Sequence, residues 1–339
     1  MKAMNRYIRK TARLMLCLLT SAATLASCIY EDEVPCPVEL RFVYDYNMEF
    51  ADAFPHRVRD LQLYIFGQDG QLLDTRRVTA PEGGFGEAYR MNLQDLPAGT
   101  YTFLAWATDD ATAATKAYAF EPITTTRAAL ADLGLGIHPD AAEYCDLTLP
   151  DLWHGLLRDF TITGQEPAQA TIHLVQDVKR FRVMLQRADG QRLATADYAF
   201  SITADNARLD YDNSILPSNA PTIYTPYSLE EANVANGRTT TGSLHALVGE
   251  LNTLRLDATA PARFRVSHTA EGRDLFDLDL IHYLELMRLD RHADMPLQEY
   301  LDRENTWNVI FVIGGDAGSE HLLSIQINQW IMVFNETEL

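Results

Sequence analysis

Basic side chains are scarce in this chain of 339 residues: 28 Lys and Arg stand against 47 Asp and Glu, a formal net charge of −19. Affinity for nucleic acid depends on cations that neutralise phosphates, so that class of partner is excluded. An acidic body is also held away from anionic membrane surfaces. Long apolar runs are missing as well: beyond the amino-terminal segment nothing approaches the roughly 20 apolar residues of a spanning helix, and 308–313 and 322–333 are short or interrupted by polar residues. Cysteine is limited to four residues, with no CxxC pair or Cys/His cluster of zinc-binding spacing. Catalytic signatures are lacking too. The His residues form no HExxH, His282 and Glu285 make an isolated H-x-x-E fragment, and Ser243/His245 and Ser267/His268 lack a Gly-x-Ser-x-Gly elbow. Gly83-Gly84-Phe85-Gly86 precedes no helical pattern and reads as a turn rather than a phosphate cradle. Asp109-Asp110 and the Asp205/Asp210 pair lack the spacing of a calcium loop. The sequence therefore assigns no catalytic residue, no metal ligand and no cofactor beyond a covalent lipid.

What is present begins with an export signal. Lys2, Arg6, Arg9, Lys10 and Arg13 precede a short apolar stretch from Leu14 to Ala26, followed by Leu25-Ala26-Ser27-Cys28. A Leu and two small residues before Cys resemble a bacterial lipobox, in which the thiol carries lipid and the signal, residues 1–27, is removed. Two or three acyl chains hold durably where one does not. Residues 28–35 then form a tether containing Tyr30-Glu31-Asp32-Glu33. An acidic run beside an acylated Cys resembles the surface-export signal of Bacteroides-type lipoproteins, which implies an outward-facing place on the outer membrane. Cleavage removes five of the 28 basic residues and none of the 47 acidic ones, leaving a body of charge −24. Cys36 and Cys145 remain in an oxidising compartment, where they either form a disulfide or stay as buried thiols.

The patterning is mostly β. Val38–Tyr44, Arg59–Phe66, Gln71–Thr75, Tyr89–Leu93 and Tyr101–Ala107 read as strands, with turns at Gly67–Gly70 and Leu96–Thr100. This spacing predicts an antiparallel sandwich over 36–165. In the less regular stretch that follows, Ala128–Leu135 reads as a short helix, Cys145–Leu149 as a strand and Asp151–Gly155 as an aromatic corner. A second sandwich is expected over 166–339. Its strands fall at Thr171–Gln186, Tyr198–Ala204, 242–247, 252–256, Ala262–His268, Thr306–Ile313 and Leu322–Phe334. A strand with a short helix is expected at Leu275–Leu289, a helical turn at Asp294–Asp302 and a long loop at Pro217–Asn236. Asp189-Gly190-Gln191 repeats Asp69-Gly70-Gln71 and supports two domains of one architecture. Trp106, Trp153, Trp307 and Trp330 read as core aromatics rather than a carbohydrate platform.

The lipobox, Cys36-Pro37, Leu40–Asn47, Leu63–Phe66, Asp69-Gly70, Leu96–Tyr101, Ala105-Trp106, Met295–Asn305 and Ile325–Trp330 together resemble the FimB-type fimbrial anchor lipoproteins of the Bacteroides group. The likeness covers nearly the whole chain and rests on the order and spacing of the motifs; Gly67 departs from the Asp common before that turn. It implies an all-β fold of two tandem transthyretin-like antiparallel β-sandwich domains with short helices between strands. It further implies a protein at the base of a fimbria, fixed to the outer membrane by lipid on Cys28, that limits fibre length and release. The partners it implies are fimbrial shaft or accessory subunits, joined by β-strand complementation. A shaft or tip subunit would instead be cut after an Arg in its first domain. The alternative is a free-standing surface lipoprotein that binds glycan or host protein.

Overall fold

The computed structural model describes residues 37–120, 129–218, 220–235, 243–316 and 319–334. In the first half of the chain the strands are β1 (Val38–Val43), β2 (Asp60–Phe66), β3 (Leu72–Thr79), β4 (Met91–Leu93), β5 (Gly99–Thr108), β6 (Tyr118–Phe120), β7 (Leu135–Ile137), β8 (Tyr144–Cys145) and β9 (Leu152–Ile162). Next come β10 (Ala168–His173), β11 (Val175–Gln176), β12 (Lys179–Arg187), β13 (Tyr198–Ala204), β14 (Arg208–Leu209), β15 (Thr222–Tyr224), β16 (Ser228–Ala235) and β17 (Ser243–Thr253). The last are β18 (Ala262–His268), β19 (Arg273–Asp279), β20 (Thr306–Gly314), β21 (His321–Ile327) and β22 (Trp330–Val333). Short helices α1 (Phe54–Arg57), α2 (Ala111–Ala117), α3 (Leu280–Arg291) and α4 (Leu297–Arg303) interrupt them. The fold is all-β, as the patterning predicts.

The sheets run β10-β1-β4, β11-β9-β5-β2-β3, β16-β17-β12-β20-β21-β22, β19-β18-β13-β15-β8 and β14-β7-β6. Most ladders are antiparallel, yet β1 with β10, β12 with β20 and β15 with β8 are parallel. Parallel neighbours require long crossovers, and hydrophobic alternation alone does not reveal which strands they join.

Buried side chains form two clusters. Val38, Leu40 and Phe42 of β1 pack with Leu61, Leu63 and Ile65 of β2 and Phe103 of β5. The second cluster centres on Phe181, Val183, Phe264, Trp307 and Phe311. The five-stranded sheet serves both, because Tyr64, Phe66, Leu104 and Trp106 belong to the second cluster while their strand neighbours belong to the first. A strand covered on both faces is apolar at both parities, which accounts for Leu61–Phe66 and Tyr101–Ala107. Segments also interleave around residue 165. The later strands β10 and β11 complete the first body through β1 and β9, and the earlier β7 and β8 pair with β14 and β15 of the second.

Several local expectations are corrected. Asp151–Gly155 is no corner: Leu152–Gly155 opens the eleven-residue β9, and Asp151 immediately precedes it. A Cβ on Gly155 would stand 2.6 Å from Leu174, so glycine there lets two strands approach closely instead of breaking one. The strands expected at 242–247 and 252–256 join as one, β17, from Ser243 to Thr253 through Gly249, whose Cβ would meet Phe200 at 2.7 Å; residues 254–256 lie past its end and position 242 lies outside the described residues. The segment expected as a loop at 217–236 holds β15 and β16. The single strand expected at 322–334 is a hairpin of β21 and β22, turning at Asn328 with φ 51°. Cys145–Leu149 contributes only the end of the two-residue β8. Residues 130–132 make one 3-10 turn before β7, and position 128 lies outside the described residues. The two Asp-Gly turns have the same local hydrogen bond, Gln71 N donating to Asp69 Oδ1 and Gln191 N to Asp189 Oδ1, but the second leads to no returning strand in its own sheet.

Candidate functional site

Two features could transmit or receive force in this molecule: the seam where the bodies meet and the free edges of the sheets. At the seam, Lys179 opens β12 fully buried. Its ammonium donates to Gln176 O at 3.1 Å, Asp302 O at 3.0 Å, Glu304 O at 3.2 Å and Asn305 Oδ1 at 2.7 Å. Burial pushes its pKa down, while Asp302 and Asp177 oppose the shift. Tyr44, at the end of β1, donates to Gln176 Oε1 and accepts from Asn305 Nδ2, each at 2.8 Å. Asp151 bridges the bodies with one carboxylate, taking Arg57 Nη2 of α1 at 2.9 Å and Arg180 Nη2 of β12 at 2.7 Å. Arg255 holds Asp302 of α4 through two bonds of 2.8 Å, the bidentate geometry that favours Arg. Arg303 lies 3.9 Å from the Tyr46 ring centroid and 4.5 Å from that of Phe50. The seam is thus closed by directional polar contacts, several of them shielded from solvent.

The edges differ in chemistry. β3 carries Arg76, paired with Asp95 at 2.6 Å, and Arg77, paired with Asp60 at 2.9 Å. β19 faces an ion ladder in which Asp277 meets Arg263 at 2.9 Å and Asp274 meets Arg265 at 3.3 Å. β16 presents Glu230 and Glu231, the latter bound to Arg192. Charges on an edge discourage further pairing. β22 has the sequence WIMV with no charge, and Ile331 and Val333, two residues apart, are 59% and 68% exposed.

Of the residues singled out from sequence, Cys28 and Cys36 lie outside the described residues. Cys145 is buried in the second cluster and bonded to no other cysteine among the described residues, and burial raises its pKa. Trp106, Trp153 and Trp307 are core residues, whereas the Trp330 side chain lies outside the description. Asp110 caps α2 by accepting from Thr112 N and Ala113 N, and Asp205 accepts from Ser218 N and Oγ. Gly83–Gly86 is a turn that sets Phe85 5.1 Å from Phe54. His268 lies edge-on to Tyr198 at 5.4 Å. Among the described residues no three His, Cys, Asp or Glu converge to hold a metal, and no helix is long and apolar enough to cross a membrane. Sequence reasoning missed the seam: Lys179, Asp177 and Asn213 carry no motif, although a Lys between Val178 and Phe181 in an apolar strand was a signal.

The profile of one protein family, described as fimbrillin-A associated anchor proteins Mfa1 and Mfa2, matches residues 31–336. A crystal structure of a candidate adhesin from Bacteroides thetaiotaomicron is 30% identical, with a TM-score of 0.77 over 89% of this chain and 99% of that one. A candidate polysaccharide-binding protein from the same species is 28% identical, with a TM-score of 0.75 over 90% and 100%. The fimbrial anchor protein Mfa2 from Porphyromonas gingivalis shares the fold at 17% identity, with a TM-score of 0.67 over 89% and 100%. No curated protein sequence matches.

Proposed function

The chain belongs to the family of fimbrillin-A associated anchor proteins, and from that premise we propose that it fixes a fimbria to the outer membrane through lipid on Cys28 and receives a fimbrial subunit by β-strand addition. The family is structural, and the chain is a fimbria-associated surface protein, not an enzyme. The observation that carries the finer reading is the β22 edge. In strand addition, main-chain hydrogen bonds supply the hold and alternate side chains supply the fit. β22 offers a backbone flank with no paired strand among the described residues and two exposed apolar side chains on one face, while β3, β16 and β19 are fenced by charge. Lipid on Cys28 would leave ten residues between the membrane and β1, a span of up to about 35 Å. Cys36 and Cys145 would either close a disulfide that ties this tether to the fold or remain thiols.

Capture of the acylated protein from intact envelopes, with mass spectrometry of whatever travels with it, tests the assembly role. Fimbrial subunits should co-purify with the native chain and be depleted when Ile331→Lys and Val333→Lys are combined. Co-purification unaffected by the pair would move the docking site elsewhere; no fimbrial subunit at all would overturn the role.

One observation favours a second reading, the likeness to a candidate polysaccharide-binding protein at 28% identity. A polar cleft of about 310 Å³, lined by Glu39, Arg41, Arg90, Gln169 and Thr171, lies on the β10-β1-β4 sheet. Saturable glycan binding abolished by Arg90→Ala would establish that reading.

A further inference from the structure

A turn of the second body, residues 210–214, docks on the first. His154 of β9 has Nε2 2.8 Å from the Tyr211 carbonyl oxygen. A carbonyl only accepts, so Nε2 carries the proton, and burial lowers the His154 pKa to about 4, keeping the ring neutral. Arg158 of β9 lies 5.2 Å over the Tyr211 ring. Asn213 sits in the left-handed region at φ 67°, a conformation Asn tolerates better than most residues. Its backbone oxygen accepts from Arg255 Nη1 at 2.7 Å, and its Nδ2 donates to Asp177 Oδ1 at 2.8 Å. Asp177 follows β11, is fully buried, and donates its N–H to Leu152 O at 2.8 Å.

Two oxygens at this contact are anomalous. Asp177 Oδ2 and Asn213 Oδ1 are both buried, and neither has a hydrogen-bond donor among the described residues. The charged and titratable groups facing Asp177 are Lys179 of β12, Arg255 beyond β17, Asp302 of α4 and, farther off, Tyr118 of β6. The Lys179 ammonium is engaged by three carbonyls and Asn305, Arg255 by Asp302 and the Asn213 carbonyl, and Tyr118 donates to Pro150 O. An ionised carboxylate can only accept, so in that form both oxygens stay buried and unsatisfied. A single proton on Oδ2 resolves both. The acid then donates from Oδ2 and accepts at Oδ1, the amide donates from nitrogen and accepts at oxygen, and the two groups close a ring of two hydrogen bonds.

We propose that Asp177 keeps its proton in mildly acidic surroundings and forms a cyclic acid–amide pair with Asn213, a clip between the two bodies that loosens as the pH rises. Burial supports this independently by raising the Asp177 pKa well above the usual carboxylate range, against the opposing pull of Asn213, Arg255 and Lys179. A carboxyl whose folded-state pKa is raised contributes fully below its ordinary value of about 4, and that contribution fades as the pH climbs towards neutrality.

The test is hydrogen exchange of residues 210–214 in the full mature chain from about pH 5 to pH 8, with infrared difference spectra of wild type against Asp177→Asn. The opening constant, corrected for intrinsic exchange, should rise in the wild type by up to about tenfold per pH unit within the window. It should be flat in Asp177→Asn, whose amide can make both bonds at every pH. The difference spectrum at about pH 5 should contain a protonated-carboxyl stretch. A carboxylate stretch there, or wild-type opening independent of pH, would overturn the proposal; the wild-type exchange decides even if the variant fails to fold.

Discussion

Lys179 concentrates the chemistry of the seam in one side chain. Four neutral acceptors, three carbonyls and the Asn305 amide oxygen, surround its ammonium, and removing that donor leaves buried acceptors without a partner. Lys179→Met should therefore destabilise the chain by about 1–3 kcal/mol, measured by denaturant unfolding. The sign of its pH dependence follows from its lowered pKa. The contribution is present above the ordinary lysine value, near 10.4, and is lost as the pH falls through the depressed one. The raised Asp177 carboxyl acts in the opposite sense at the acid end. Together they place the weakest point of the seam between neutrality and mild alkalinity. Cys145 is buried with a raised pKa, so as a thiol it should resist alkylation until the chain unfolds. If it is instead bonded to Cys36, the intact mass will fall by two hydrogens and unfolding without reductant will expose no thiol.

Among the elements, β22 is the strand we propose as the receiving edge, uncharged and with two exposed apolar side chains. Ile331→Lys with Val333→Lys should leave the melting temperature nearly unchanged, because both side chains are mostly in solvent, while weakening subunit capture. By contrast, Asp110→Ala removes the two hydrogen bonds that start α2 and should cost about 1 kcal/mol of stability without touching association. Period-two strands such as β1, β13 and β18 were legible in the sequence because one face is dry and the other wet. β9 and β17 were hidden by Gly155 and Gly249, which serve close approach between layers rather than turning. The β21–β22 hairpin was hidden because its two-residue turn, Asn328-Gln329, adds polar residues to a run that already contains Ser324 and Gln326. The interleaving of β7, β8, β10 and β11 depends on long-range pairing that no local window contains. Of the candidate sites, the lipobox is a local motif and was visible; the seam is assembled from residues up to 261 positions apart and was not.

At the scale of the whole molecule, the first cluster shares a sheet with the second, and Arg57–Asp151–Arg180, Tyr44–Asn305 and Asp177–Asn213 cross the divide. Such coupling predicts a single cooperative unfolding transition by calorimetry rather than two, as would suit the proposed link between a membrane and a fibre. That role rests on lipid at one sulfur. The most direct measurement is the mass of the mature amino-terminal peptide together with a count of fibres retained on cells that carry Cys28→Ala. The account predicts an acylated Cys28 as the first residue of the native chain, and fibres shed into the medium by the variant. A mature chain that begins elsewhere, or fibres still held by cells with alanine at that position, would contradict it.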